Sequence, residues 1–253
     1  MARKKKKKSW HKLKNRLAKG YRRMITRETT NQIIQMSRRD IASETLSIQP
    51  LKLNHKLFEN GDVADAMIGR GMWLNQQSYQ DGYIGSAITL LDLIKLSDKN
   101  EIKDSYIIVA LFCFRQYLEL SMKDSLIHYY KSEKLGELVY ESGHNLEDLF
   151  EKIMELPQME PNETSEAVKQ MINTIQGYDP TGVVFRYPYS IDKATGQIKP
   201  LLKPGIGLKS VKALRKRMLQ LYEFFDGINS MVHDYERKGI IYTGDSDTKS
   251  SAH

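Results

Sequence analysis

The stretch FCFRQYLELSMKD, from Phe112 to Asp124, places three charged side chains in the most apolar part of the chain. Arg115, Glu119 and Lys123 recur every fourth residue, so on a helix they line one stripe. Large apolar residues flank that stripe and leave little helix surface for water. Charged groups in such surroundings are usually paired, bound to a ligand or reactive. We therefore predict a long, largely buried helix whose charged stripe has either a structural or a functional task.

Helical periodicity continues on both sides of this stretch. We predict helices over 57–75, 83–97, 101–132, 145–156, 165–176 and 208–238, with SYQDGY (78–83) as a turn between the first two. Residues 177–207 are rich in Gly, Pro and β-branched residues, which predicts a loop with a short hairpin in which VVFRYPY and QIKPLL flank the turn DKATG. The predicted fold class is all-α, a helical bundle with a small irregular hairpin insertion and a basic N-terminal helical arm.

Charge divides the chain into unequal parts. Residues 1–40 carry a net charge of +13, whereas the remainder carries −5. We predict a basic arm over 1–45, a helical bundle over 46–240 and a flexible tail over 241–253. Such an arm is typical of phosphate contact with RNA or DNA, although a solubilising or partner-docking extension fits the same pattern. The predicted nucleic-acid-binding residues are Lys4, Lys5, Lys6, Lys7, Lys8, Lys12, Lys14, Arg16, Arg22 and Arg23.

Several classes of protein are disfavoured by composition. The longest strongly apolar run, Ile107 to Phe114, is too short to span a bilayer, and no apolar segment follows the basic N-terminus as in a secretory signal. The single cysteine, Cys113, rules out a disulfide within the chain. No Gly-rich phosphate loop and no His/Cys/Asp spacing for zinc is present, so we expect neither metal nor cofactor. We expect a cytoplasmic protein.

Three sequence elements together resemble one branch of the HEPN superfamily of small helical-bundle proteins. They are FRQYLELSMKD (114–124), GHNLEDLF (143–150) and DPTGVVFRYP (179–188), in this order. In that branch a core helix carries Arg-x-x-x-Glu-x-x-x-Lys, a His-Asn/Asp-Leu opens the next helix, and Phe-Arg-Tyr-Pro follows. The resemblance covers about residues 70–237. It implies an RNA-acting protein, since many HEPN proteins are metal-independent ribonucleases of toxin or anti-phage systems and many act as homodimers.

The resemblance also suggests which side chains would act on RNA. Metal-independent cleavage needs a base, an acid and a cation near the phosphate. His144 and His233 are the candidate proton carriers, and Arg115 and Arg186 the candidate phosphate clamps, with Glu119 orienting Arg115. Each has a structural alternative: His144 could close a helix start, Arg186 could pair with Glu119 or backbone carbonyls, and His233 could be a surface residue.

The last helix departs from the usual HEPN signature, which has an Arg, a polar residue and then a His. Asn229 and His233 match the polar residue and the His, but Ile228 stands where the Arg would be. This departure favours an alternative function, a non-catalytic nucleic-acid-binding or adaptor subunit of a larger defence complex. The retained Asn229 and His233 favour the ribonuclease. His128, which precedes two tyrosines, is expected to be structural.

Overall fold

A computed structural model of the chain describes residues 75–130, 141–202 and 210–238. Within these ranges the fold is mainly helical with one small hairpin, which confirms the predicted fold class. The predicted arm, the tail and most of the 57–75 helix lie outside the described residues. The elements are α1 (Asn75–Leu96), α2 (Asn100–Tyr130), α3 (Leu146–Met154), α4 (Glu163–Tyr178), β1 (Tyr189–Ile191), β2 (Ile198–Pro200) and α5 (Val211–Arg237).

The central element is α2, the helix that contains the charged stripe. It packs against α1, α3 and α5, and α1 also contacts α5. Its buried apolar residues, among them Phe114, Leu118 and Met122, join side chains of the neighbouring helices in one hydrophobic core. The predicted long helix from 101 is thus confirmed to Tyr130, beyond which residues 131–140 are not described. A helix that is in contact on several sides must bury part of any charged stripe that it carries.

The predicted turn at SYQDGY is wrong, because α1 continues through residues 78–83 without a break. Gln77 donates a hydrogen bond to Asp81 one helical turn later, over 3.0 Å. Gly82 costs a helix only about 1 kcal/mol relative to alanine. Burial of Ile84 and Ile88 against α2 outweighs that cost.

Side-chain caps fix the starts of α3 and α4. Asn145 accepts hydrogen bonds from the backbone of Glu147 and Asp148, and the Asn162 side chain does the same for the first turn of α4. Such caps satisfy backbone N–H groups that have no partner inside the helix. The prediction that a His-Asn pair opens α3 is therefore confirmed for Asn145, and the cap holds the preceding residue, His144, close to α2.

The hairpin is shorter than predicted. Its strands pair Tyr189 with Pro200 and Ile191 with Ile198, so only the end of VVFRYPY and the middle of QIKPLL are extended. The Val183–Arg186 segment is instead a turn, in which the Arg186 N–H donates to the Val183 carbonyl over 3.0 Å. The turn DKATG is confirmed between the strands, with Gly196 at a φ of 69°.

Helix α5 begins at Val211, three residues later than predicted, behind the N-cap Ser210. It runs to Arg237 and buries one face, including Phe225 and Val232, against the bundle. In the described part of the chain no helix combines the length and the apolar character needed to cross a bilayer.

Candidate functional sites

Arg115 lies at the centre of a closed polar cluster. Its side chain is 0% exposed, and all three guanidinium nitrogens have partners within the protein. Nη1 donates to Glu119 Oε2 over 3.0 Å, Nη2 donates to the His144 carbonyl over 2.6 Å, and Nε donates to the Asp179 carbonyl over 3.2 Å. Asp179 Oδ2 also lies 3.3 Å from Nε. We call Arg115, Glu119 and Asp179 the Arg115 knot.

The third member, Asp179, ties the irregular segment to this knot. Its Oδ1 accepts the backbone N–H groups of Val183 and Val184 over 2.7 and 2.9 Å. Gly182, which directly precedes Val183, has a φ of 73°, and a Cβ there would lie 3.0 Å from Arg115 Nη1. The backbone therefore lies directly against the guanidinium, which leaves no room for a ligand on that side. Arg115 thus joins α2 to the end of α4 and to the start of α3.

Glu119 extends the Arg115 knot towards the surface. Lys123 Nζ lies 2.7 Å from Glu119 Oε1, and His144 Nδ1 lies 2.9 Å from the same oxygen. Burial acts to raise the pKa of Glu119, but the contacts with Lys123 and His144 outweigh it and hold that pKa below its ordinary value. The side chain of His144 is 60% exposed. The charged stripe predicted on α2 is therefore a continuous ion-pair chain that is closed at Arg115 and open only at Lys123 and His144.

The other two predicted catalytic residues do not join this chain. Arg186 is exposed and lies over the ring of Tyr187, with 5.3 Å between its guanidinium carbon and the ring centre. It does not pair with Glu119, whose partners are Arg115, Lys123 and His144. His233 lies beside His128 in a different cluster. The structure therefore brings together three of the five predicted residues, Arg115, Glu119 and His144, and separates Arg186 and His233 from them.

A second buried polar group connects α1, α2 and α5. Asn229 accepts a hydrogen bond from Ser125 and donates to Ser121 over 3.1 Å. On α1, Gln80 donates to Asp124 Oδ2 over 3.1 Å. These contacts give Asn229 a packing task inside the bundle. Ile228 beside it is buried in the hydrophobic core, so the position where the HEPN signature has its Arg is a core position here.

The polar group opens to solvent at two histidines. The rings of His128 and His233 lie 4.5 Å apart, and their side chains are 35% and 42% exposed. Glu236 Oε2 lies 3.1 Å from His128 Nδ1 and 3.4 Å from His233 Nδ1, while Asp124 Oδ1 lies 3.4 Å from His128 Nε2. We call Asp124, His128, His233 and Glu236 the histidine cluster.

Sequence reasoning missed most of the histidine cluster. It identified His233 but assigned His128 a structural role and did not consider Asp124 or Glu236. A signal was present, since Asp124 and His128 are spaced i, i+4 and His233 and Glu236 are spaced i, i+3. Only the pairing of α2 with α5 brings the two spacings together.

Sequence reasoning also missed a basic surface at the opposite end of α5. Lys95, Lys212, Arg215 and Lys216 line an open depression of about 600 Å³ between the end of α1 and the start of α5, and the acidic Glu223 also lines it. Asp92 holds Arg215 in place, with 2.8 Å between its Oδ1 and the guanidinium Nε. The first turn of α5 contains no acidic residue. We call these four side chains the basic face.

Comparison with known proteins returned no matching family model, no matching curated protein and no matching solved structure.

Proposed function

We propose that the protein is an RNA-binding, HEPN-like helical module that holds the phosphate backbone on the basic face. The observation that carries this proposal is the convergence of Lys95, Lys212, Arg215 and Lys216 around one open depression. Clustered cations that neutralise phosphates supply most of the affinity of sequence-independent nucleic-acid binding. The predicted basic arm over 1–45 would supply phosphate contacts of its own.

The local structure of the basic face suits phosphate. The N–H groups of the first turn of a helix carry partial positive charge, and anions bind there readily. The Ser210 side chain accepts the Ala213 N–H in the first turn of α5. Arg215 is fixed by Asp92, whereas Lys212 and Lys216 lie on the exposed side of the helix. A fixed guanidinium between two exposed lysines can follow a phosphate chain without reading its bases.

The Arg115 knot argues against RNA cleavage at the catalytic site that the sequence predicts around Arg115. A phosphate clamp has to present guanidinium N–H groups to the ligand, but each nitrogen of Arg115 already donates to an internal acceptor. Turning Arg115 towards a ligand would take the cation away from the buried Asp179 and leave Glu119 with only Lys123 and His144. Arg115 and Glu119 therefore have a structural task in this proposal.

RNA cleavage is a second candidate function, and the histidine cluster favours it. Two partly exposed imidazoles with ring centres 4.5 Å apart could serve as base and acid on one ribose-phosphate. Arg115, Glu119 and His144, which the sequence predicts to be catalytic, would then have no part in the chemistry. Against this candidate, the neighbouring Asp124 and Glu236 repel a phosphate.

The binding proposal is tested with fluorescein-labelled single-stranded RNA, titrated at several salt concentrations. The double variant Lys212→Gln/Lys216→Gln removes two cations from the basic face. We expect it to weaken binding and to lower the slope of log affinity against log salt by about 1.4, at about 0.7 for each lost contact with a single strand. The matched control, Lys169→Gln/Lys193→Gln, removes two exposed lysines elsewhere and should leave the slope within error of the wild type.

Two results would overturn this role for the basic face. One is an equal loss of slope in the test variant and its control. The other is a chain lacking residues 1–24 that loses all binding while Lys212→Gln/Lys216→Gln binds as the wild type does, because the arm alone would then hold the RNA.

The cleavage candidate is tested by incubating the full chain with RNA in EDTA and separating the products by size. Cuts that disappear in both His128→Ala and His233→Ala, but persist in His144→Ala, would establish the histidine pair as the centre. If the wild-type chain binds the RNA but leaves it intact, the protein does not cleave RNA without a metal and the second candidate function is wrong.

A further inference from the structure

We propose that Asp124, His128 and His233 bind a divalent first-row transition-metal ion of the zinc class. Each of these residues offers one ligand atom, and the three atoms lie within 4.8 Å of one another. Two imidazole nitrogens and one carboxylate oxygen form a ligand set that such ions favour. The proposal concerns metal binding alone and does not depend on whether the basic face binds RNA.

The distances require the side chains to move before they could hold an ion. Zinc lies about 2.0–2.2 Å from nitrogen and oxygen ligands in tetrahedral sites, so two ligands on one ion are about 3.4 Å apart. A spread of up to 4.8 Å therefore requires the most distant pair of ligand atoms to close by up to about 1.4 Å. His128 and His233 are partly exposed and can make that movement by side-chain rotation. Asp124 is buried and provides the fixed ligand.

Asp124 supplies an independent observation that points to a ligand. The residue is 3% exposed, and its Oδ1 has no hydrogen-bond partner in the protein. His128 Nε2 lies 3.4 Å from this oxygen, which is longer than an ordinary charge-assisted hydrogen bond. A buried carboxylate oxygen without a donor is costly, and such a group calls for an explanation. A cation between Asp124 Oδ1 and His128 Nε2 would satisfy it.

Groups around the cluster orient these ligands as metal sites require. Gln80 donates to the other oxygen of Asp124 over 3.1 Å and fixes the plane of that carboxylate. Glu236 lies against Nδ1 of both histidines, so we assign the Nδ1–H tautomer to each ring. Nε2 then carries the free lone pair, and in His128 this atom already faces Asp124. A carboxylate behind a ligating histidine is a common outer partner in metal sites.

The ligand count indicates what the ion would do. Three protein ligands leave at least one coordination position for water or a substrate oxygen, as in reactive rather than purely structural zinc sites. The bound ion would also occupy the ring nitrogens that the second candidate function needs for proton transfer. Zinc added in chelator-free buffer should therefore inhibit any metal-independent cleavage that is seen in EDTA.

The test uses the full chain, freed of metal with EDTA and then exchanged into chelator-free buffer. Zinc chloride is added in a calorimetric titration, and cobalt chloride is followed by its visible absorption. We expect one ion per chain with the histidine cluster intact. Asp124→Asn, His128→Gln and His233→Gln should each weaken affinity at least tenfold and remove the cobalt bands. His144→Gln is the matched control, because that histidine contacts Glu119 on another part of α2.

The proposal is overturned if the wild-type chain binds neither ion. It is equally overturned if His233→Gln and Asp124→Asn bind as tightly as the wild type, or if His144→Gln weakens binding as much as they do. His233→Gln changes a partly exposed side chain, so it tests the site even if Asp124→Asn fails to fold. Weak RNA binding by Lys212→Gln/Lys216→Gln with unchanged zinc affinity would show that the two sites are independent.

Discussion

Arg115 and Asp124 lie nine residues apart on α2, and both side chains are buried, yet their surroundings differ. Every guanidinium nitrogen of Arg115 meets an acceptor from another part of the bundle or from the next turn. Asp124 has a donor for one oxygen and none for the other. The Arg115 knot also contains an oxygen without a hydrogen bond, Asp179 Oδ2, but that oxygen is enclosed 3.3 Å from Arg115 Nε in side chains that are 0% exposed. The histidine cluster instead opens to solvent at His128 and His233.

This difference separates a structural charge from a binding charge. A buried ion pair whose charges neutralise each other within the protein is tolerated, and a ligand cannot reach it where it is fully enclosed. A buried carboxylate with an unused oxygen beside two accessible imidazoles retains binding capacity. Burial of a charged residue in an apolar helix therefore does not by itself predict function. The hydrogen-bond and ion-pair partners of a buried charge decide whether it has a structural role or a binding role.

The largest loss of stability is expected from Arg115→Met. A harmless substitution would contradict the structural role that separates Arg115 from Asp124. Methionine fills much of the same volume but leaves Asp179 buried without its cation, while Glu119 keeps only Lys123 and His144. Loss of one partner from a buried pair costs about 3–5 kcal/mol, so we expect the free energy of unfolding in urea to fall by that amount. An unchanged unfolding midpoint would mean that the knot does not hold the fold together.

A smaller effect is expected from Gly182→Ala. Its φ of 73° disfavours a side chain, and the new Cβ would come within 3.0 Å of Arg115 Nη1. Strain of this kind costs about 1–3 kcal/mol, measurable by the same urea titration. Gly227→Ala is the matched control, because it lies inside α5 with no other atom within 4 Å of the added Cβ, and it should be neutral or slightly stabilising. Equal loss in both variants would contradict the close contact with Arg115.

The smallest effect is expected from Glu119→Gln, and it should depend on pH. The pKa of Glu119 is lowered in the folded protein, so its carboxylate stabilises the fold above the ordinary value of 4.5. That contribution is lost as pH falls through the lowered pKa. We expect the variant to be less stable than the wild type at neutral pH and the difference to disappear in acid, as measured by thermal unfolding across that range. A constant difference at every pH would rule out this ion pairing as the cause.

Local patterns predicted much of the fold. The long α2, the Asn-capped α3 and the turn of the hairpin follow from periodicity and turn residues that act over a few positions. The prediction of a turn at 78–83 is wrong. Gly82 and its polar neighbours are typical of a turn, but the packing of Ile84 and Ile88 on α2 keeps this segment helical. That packing joins residues far apart in sequence, and no local rule contains it.

The sites were predictable only where their residues are close in sequence. Arg115, Glu119 and Lys123 share one helix face, so their pairing followed from spacing, whereas the closure by Asp179 and Gly182 required the tertiary structure. The histidine cluster and the basic face each combine side chains of two helices. The partners of Asp124 and the approach of Lys95 to Lys212 could therefore not be read along the chain.

The most direct measurement of the contrast between the two clusters is the NMR spectrum of the histidine rings during titration with zinc chloride, assigned with single His→Gln variants. The account predicts that the ring resonances of His128 and His233 change together while that of His144, beside the Arg115 knot, stays in place. Resonances of His144 that change with the other two, or ring signals of His128 and His233 that do not respond to zinc, would contradict it.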